Sequence, residues 1–267
     1  EEMSRGRKNF DNPTNKIYER KKDTPNNKYL LIFICSLVLF FGFILPLLQI
    51  LYWISYSFNE IDVFFIAELI MSSFSIALIS AIIIIIFTIN ITFITRMTKN
   101  IFIKLSTKIF SLGYSIPGVV LAVGVITPIT YMENSFSELF NYPPETILTG
   151  TFVLLVVAYL VRFSTISIKT MESGFNKISK NYDLLSSSFG YSKIQTLFKI
   201  HVPILLPTIY SALILLFVDI VKELPMTLIL RPFNFNTLPV YLYELAEAEN
   251  LSSIGLPGLI LIIICLI

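Results

Sequence analysis

Long apolar runs alternate with short polar stretches along this chain, and the apolar runs are of membrane length. Six stand out: Tyr29–Ile54, Ile70–Thr95, Ile109–Tyr131, Ile147–Val161, Ile204–Val221 and Ile254–Ile267. A helix needs about 20 apolar residues to cross roughly 30 Å of hydrocarbon. Only helices and closed barrels satisfy their backbone groups there. The pattern predicts an all-α, polytopic helical bundle of about six spans. The fourth run is short unless it continues past Arg162. The chain opens on Glu1 and is still apolar at Ile267, so a fragment of a longer protein is expected.

The polar stretches carry finer signals. Residues 1–28 are rich in Asn, Lys and Pro and read as a linker or tail ahead of a first span, 29–56. A short acidic loop, Ser57–Asp62, joins the first two runs. The isoleucine-rich run Ile82–Phe87 suits lipid contact or bundle packing. In the third run, Pro117 and Gly118 free backbone groups that neighbours or cavity water must satisfy, as a translocation path would tolerate. After the fourth run, Tyr182–Phe189 can form a short helix, with Gly190 suited to the left-handed position beyond its end. Ser192 followed by Gln195 is a capping box, so a second helix is expected to start there. Ile194, Leu197 and Phe198 give that helix an apolar face. Pro203 and Pro207 fit the entry to the fifth run. The expected shape is a compact helix–turn–helix knob.

Composition agrees with a membrane protein. The chain is 55% hydrophobic and 14% charged, with a mean hydropathy of +0.76, too apolar for a soluble domain of this size. Eighteen of the 20 Lys and Arg residues precede the first run, separate the second from the third, or follow the fourth, Arg162 among them. The positive-inside rule places those segments in the cytoplasm. Glu133, Glu138, Glu145, Glu244, Glu247 and Glu249 then fall outside. The basic tail reads as an orientation signal; no aromatic platform or reader fold points to nucleic acid. Cys35 and Cys265 read as small hydrophobes in apolar runs. His201, the only histidine, reads as structural, and the scattered methionines make no metal-handling cluster.

Asp219, Lys222 and Glu223 lie at i, i+3 and i+4, on one helix face near the outer end of the fifth run. Such groups are costly in a membrane unless paired or facing water. They form either an internal ion pair or a gate and transient anchor. Two carboxylates on one helix make no complete metal site, and a metal ligand set is unknown. Arg231 either meets the acidic rim of an outer partner or caps a helix end. No H-E-x-x-H, dense acidic motif or Ser/Lys dyad supports a membrane-embedded enzyme. A passive channel leaves the knob unexplained.

Gly190, nine residues, then Ile200-His201-Val202-Pro203 is similar to the coupling loop of type I permeases of ATP-binding-cassette importers, E-A-A-x3-G-x9-I-x-L-P. The E-A-A positions fall on Leu184-Leu185-Ser186, a departure, with Asp183 the nearby acid. Phe217–Pro225 and Thr227–Leu238 resemble ferric-iron importer permeases, as do Tyr243-Glu244, Leu256-Pro257, Glu172-Ser173-Gly174 and Tyr114–Gly118. Phe10–Lys16 resembles the linker between the halves of fused permeases. The resemblance covers nearly the whole chain. It implies an inner-membrane permease core over 70–267 with a coupling loop at 172–203, forming the C-terminal half of a double-length protein. The implied partners are an N-terminal permease half, a cytoplasmic ATPase dimer, a periplasmic ferric-binding protein and the lipid bilayer. ATPase coupling is implied for Glu172, Gly174, Asp183, Leu184, Ser186, Gly190, Ile200 and Pro203. The candidates for translocation or gating are Pro117, Gly118, Asp219, Lys222, Glu223 and Arg231. No P-loop is present, so ATP and Mg are expected on the partner ATPase and no cofactor on this chain. Related permeases for thiamine, sulfate or phosphonate are the alternatives in class.

Overall fold

The computed structural model describes residues 25–57, 62–98, 100–140 and 148–266. Most of the predicted linker (1–24), the core of the acidic loop (58–61), Lys99 and Glu145 lie outside the described residues. The chain divides into two compact units, Glu1–Leu48 and Gln49–Ile267. The described part of the first is α1 (Pro25–Leu39), a π-turn (Phe40–Ile44) and the start of α2 (Leu45–Ser57). The helix thus begins inside the stretch read as linker. None of its described side chains up to Leu48 is buried.

The second unit continues through α3 (Val63–Met97), α4 (Ile101–Phe110), α5 (Gly118–Phe140), α6 (Phe152–Asn176), α7 (Asn181–Ser188) and α8 (Lys193–Thr196). A π-turn (Leu197–His201) leads into α9 (Val202–Val221), followed by α10 (Pro225–Leu230), α11 (Leu238–Glu247) and α12 (Gly255–Leu266). Strands are absent among the described residues. Five helical stretches are long and apolar enough to cross a membrane: Lys28–Tyr56, Val63–Met97, Gly118–Leu139, Phe152–Asn176 and Lys193–Val221. The sixth apolar stretch, Leu251–Leu266, is shorter.

Three boundaries differ from the sequence reading. The third span starts at Gly118 and not at Ile109, because α4 ends at Phe110 and a 3-10 turn, Gly113–Ser115, intervenes before Pro117. The residue before a proline is driven out of helical conformation, and Ile116 is extended, with ψ 132°. The fourth span runs on to Asn176, so Arg162, Lys169 and Glu172 lie within a helix of membrane length instead of in a cytoplasmic loop. The second helix of the knob does not stop before the membrane: Lys193–Val221 is one helical rod. The rod tolerates Pro203 because the π-turn closes just before it, with Val202 N–H donating to Leu197 O. The same device precedes Pro46, where Leu45 N–H donates to Phe40 O. Widening the helix there eases the clash between a proline ring and the preceding turn.

α3, α6 and α9 pack against one another and form the core. Ala77, Ser80 and Ala81 of α3, Ala158 of α6 and Ala212 of α9 are buried. Small residues let membrane helices approach closely. The isoleucine run serves two environments, with Ile84 and Ile85 buried and Ile82, Ile83 and Ile86 exposed. Buried hydroxyl pairs add direction: Thr88 with Ser167 at 2.6 Å and Tyr159 with Thr227 at 2.5 Å. Ser73 Oγ accepts from Leu238 N–H at 2.8 Å, holding the start of α11 to α3.

Candidate coupling loop and buried ion pairs

α7 and α8 build the knob. α7 ends in a Schellman arrangement: Tyr191 N–H donates to Ser186 O at 3.0 Å and Gly190 N–H to Ser187 O at 3.1 Å. Gly190 takes φ +75° with open space around it. Its requirement is therefore conformational and not steric. Ser192 and Gln195 close the capping box in both directions, at 3.3 and 2.9 Å. Gly190→Val should cost about 1–2 kcal/mol of local stability and, if the knob is a coupling loop, abolish transport while the protein stays in the membrane. Immunoblotting of membranes beside an uptake assay checks this; normal uptake would remove the glycine from the mechanism.

The knob has an inward and an outward side. Ser186 and Thr196 are buried, with their hydroxyls 3.0 Å apart between α7 and α8. Leu197 is also buried, so the apolar face read from periodicity divides: Leu197 turns in, while Ile194 and Phe198 turn out. Outward with them are Leu184 and Phe189; these four side chains are 61–77% exposed. An exposed apolar cluster of this kind is a candidate docking surface.

Asp183 faces inward. Its Oδ2 accepts from Arg96 Nε at 3.0 Å and Nη2 at 2.9 Å, and its Oδ1 lies 2.7 Å from His201 Nε2. Arg96 also donates to Phe175 O at 2.6 Å and Ile178 O at 2.9 Å, capping the end of α6. His201 is fully buried against Phe93 and Phe175. One carboxylate therefore joins the knob to the end of α3, through Arg96 to the end of α6, and to the foot of α9. Of the other loop candidates, Gly174 lies where α6 crosses α9, with Leu205 and Thr208 filling the space of a side chain. Glu172 faces a cavity of about 580 Å³ with Arg96, Lys104 and Lys180. Ile200 sits in the π-turn, and Pro203 is the second residue of α9.

The second constellation lies at the other end of α9. Lys222 Nζ is 2.6 Å from Asp219 Oδ1, but Glu223 pairs with Arg162 of α6 at 3.6 Å. Glu223 is 7% exposed and also accepts from Met226 N–H at 3.3 Å, at the start of α10. Arg162 lies over the rings of Tyr114 and Phe163, and its Nε and Nη1 are buried without a partner. Gly118 is the close neighbour: Arg162 Nη1 occupies the place of a side chain there, and Glu223 Oε1 is beside it. Pro117 O accepts from Leu121 N–H, setting the start of α5 against this pair. Pro117, Gly118 and Glu223 thus meet at one point, with Asp219 and Lys222 adjacent. Arg231 is elsewhere, held by Asn236 at 2.6 Å and Glu244 at 2.7 Å in the wall of a separate cavity of about 670 Å³.

Arg96 and Arg162 are the two site residues missed in the sequence. Arg162 carried a signal: it is the lone charged residue in the apolar stretch from Phe152 to Ile168, and such a residue marks function or a specific partner. Arg96 carried none beyond its place at the end of a span.

Residues 96–267 match the sequence profile of the binding-protein-dependent transport system inner membrane component family. A Salmonella typhimurium protein named as a 2-aminoethylphosphonate transport system permease, PhnV, is 26% identical over 61% of this chain and 57% of its own length. The Haemophilus influenzae Fe(3+)-transport system permease protein FbpB 2 is 21% identical over 49% of this chain and 24% of its own. This chain thus matches little more than half of PhnV and a quarter of FbpB 2. In solved structures, the bacterial alginate transporter crystallised with its oligosaccharide-bound periplasmic protein has the same fold, with a TM-score of 0.70. That likeness covers 90% of this chain and 93% of the other at 14% identity. By the profile match, with a fold that agrees with it, this chain belongs to the binding-protein-dependent transport system inner membrane component family.

Proposed function

We propose that this chain is a membrane-spanning half of an ATP-binding-cassette importer, with the Leu184–Phe198 face seated on a cytoplasmic ATPase dimer that binds ATP and Mg. The observation that carries the reading is the union of an exposed apolar face with an inward ionic brace. Closure of the ATPases would move the knob, and the unbroken rod Lys193–Val221 would carry that movement across the membrane. On this reading Asp183 transmits force within the permease, while the apolar side chains make the contact. A second, N-terminal half would complete the permease, and an outer binding protein would deliver cargo to the end holding Arg231 and Phe233.

The cargo we propose is ferric iron, supported by the likeness of Lys222–Leu238 to ferric permeases and by the FbpB 2 similarity. A 2-aminoethylphosphonate cargo is the second reading, supported by the longer PhnV similarity. Full-length permease with its ATPase in proteoliposomes separates them. ATP turnover should rise with ferric-loaded binding protein and not with the empty one. A response only to phosphonate-loaded protein would move the cargo to the second reading, and failure of any ATPase to co-purify would end the importer reading.

A further inference from the structure

A cleft of about 460 Å³ opens between α6 and α9 at the knob end of the bundle. Lys169, Thr170, Ser173, Lys177, Thr208 and Ser211 line it, and no carboxylate does. Neither lysine forms an ion pair among the described residues. Thr170 and Ser211 donate to carbonyls of their own helices, Ile166 O and Pro207 O, both at 2.9 Å. Ser173 and Thr208 make no hydrogen bond among the described residues, so their hydroxyls are free to donate. Glu172, next to Ser173 in sequence, lines the other cavity, within electrostatic reach of Lys169 but without an ion pair to it.

Lys169, Thr170, Ser173 and Lys177 come from α6 and its C-cap, and Thr208 and Ser211 from α9. Arg162 and Lys222, farther along the two helices, are already held by Glu223 and Asp219. Polar and cationic groups on helices of membrane length are costly against lipid chains, so a protein partner or water is expected to face them. A hard, highly charged cation seeks carboxylate oxygens, and this cleft offers ammonium groups and hydroxyl donors instead, the donor set that suits an oxyanion.

We propose that this cleft is the inner stretch of the translocation path and takes cargo as an oxyanion. The cargo would be either a phosphonate-type anion or a ferric ion carried with oxyanion ligands, and not a bare cation. The proposal rests on the importer reading and refines its substrate class.

The test places a single cysteine at Ser211 (Ser211→Cys) in an otherwise cysteine-free full-length permease, reconstituted with its ATPase in zwitterionic vesicles. Thiol modification is timed with an anionic and a cationic methanethiosulfonate applied from the ATPase side. The anionic reagent should react roughly tenfold or more faster, as a cleft focusing positive potential requires. Lys169→Gln/Lys177→Gln should abolish the difference. Slowing by methylphosphonate assigns the phosphonate source; slowing by ferric citrate and not by citrate alone assigns the ferric chelate. Equal or reversed rates, a preference that survives the double substitution, or no slowing by either anion would overturn the proposal. So would loss of the preference in vesicles containing anionic lipid, which would assign the lysines to headgroups. ATP turnover of the same preparation is recorded in parallel. A response to loaded binding protein keeps the importer reading whichever way the thiol rates fall.

Discussion

If the knob seats on an ATPase as proposed, Asp183→Ala should uncouple transport from ATP turnover. The substitution strips Arg96 of two hydrogen bonds and His201 of its Nε2 partner. Removing one partner of a buried ionic network typically costs ~3–5 kcal/mol, because the remaining charge is left uncompensated. Arg96 keeps Phe175 O and Ile178 O, so the end of α6 stays capped and the bundle should still assemble. What loosens is the hold of α7 on α3 and α9. The purified complex should keep its ATPase bound and its basal ATP turnover, while transport per ATP falls at least ~10-fold, the equivalent of about 1.4 kcal/mol of lost coupling. Leu184→Ala on the outward side should do the reverse, weakening ATPase association and leaving the brace intact. Measuring ATPase co-purification, ATP turnover and uptake on both variants distinguishes brace from docking face. Loss of ATPase binding in Asp183→Ala with the knob still folded would place Asp183 in the docking surface instead.

Glu223→Gln should be the most destabilising single change at the other end of α9. Arg162 already holds two buried N–H groups without partners, so neutralising Glu223 leaves a guanidinium with little compensation beyond the rings of Tyr114 and Phe163. We expect a loss of ~3–5 kcal/mol, with a lower melting temperature of the detergent-purified permease. Arg162→Met should cost less. Glu223 would keep Met226 N–H, and the starts of α5 and α10 lie beside it, where positive helix ends favour a carboxylate. The double variant Arg162→Met/Glu223→Gln should melt above Glu223→Gln alone, since both charges leave together. Thermal unfolding of the three variants closes the cycle. Additive losses would mean that the 3.6 Å pair carries no coupling. If the double variant regains stability but not uptake, the pair also serves translocation.

Much of this molecule is legible in local pattern. The apolar runs, the glycine turn, the capping box and the entry prolines are decided by residues within a few positions of one another, so backbone hydrogen bonding and helix period suffice to read them. The Lys222–Asp219 bridge is of this kind, being a contact along one helix at i, i+3. The fourth span was harder to delimit, because a cation in an apolar run reads as an end when its partner is unseen. Arg162 stays within α6 because Glu223, 61 residues later, arrives beside it. Likewise the acid of the loop could be named in the sequence but not its direction. Asp183 points inward because packing of α3, α6 and α9 brings Arg96 and His201 to one place. The sequence by itself determined which segments are helical, where they turn and which must leave water. The tertiary structure decided which charges pair, which side of the knob stays bare and where a polar cleft opens between α6 and α9. The reason is physical: a charge removed from water takes whatever compensation helix packing delivers, and that choice depends on contacts between segments far apart in the chain.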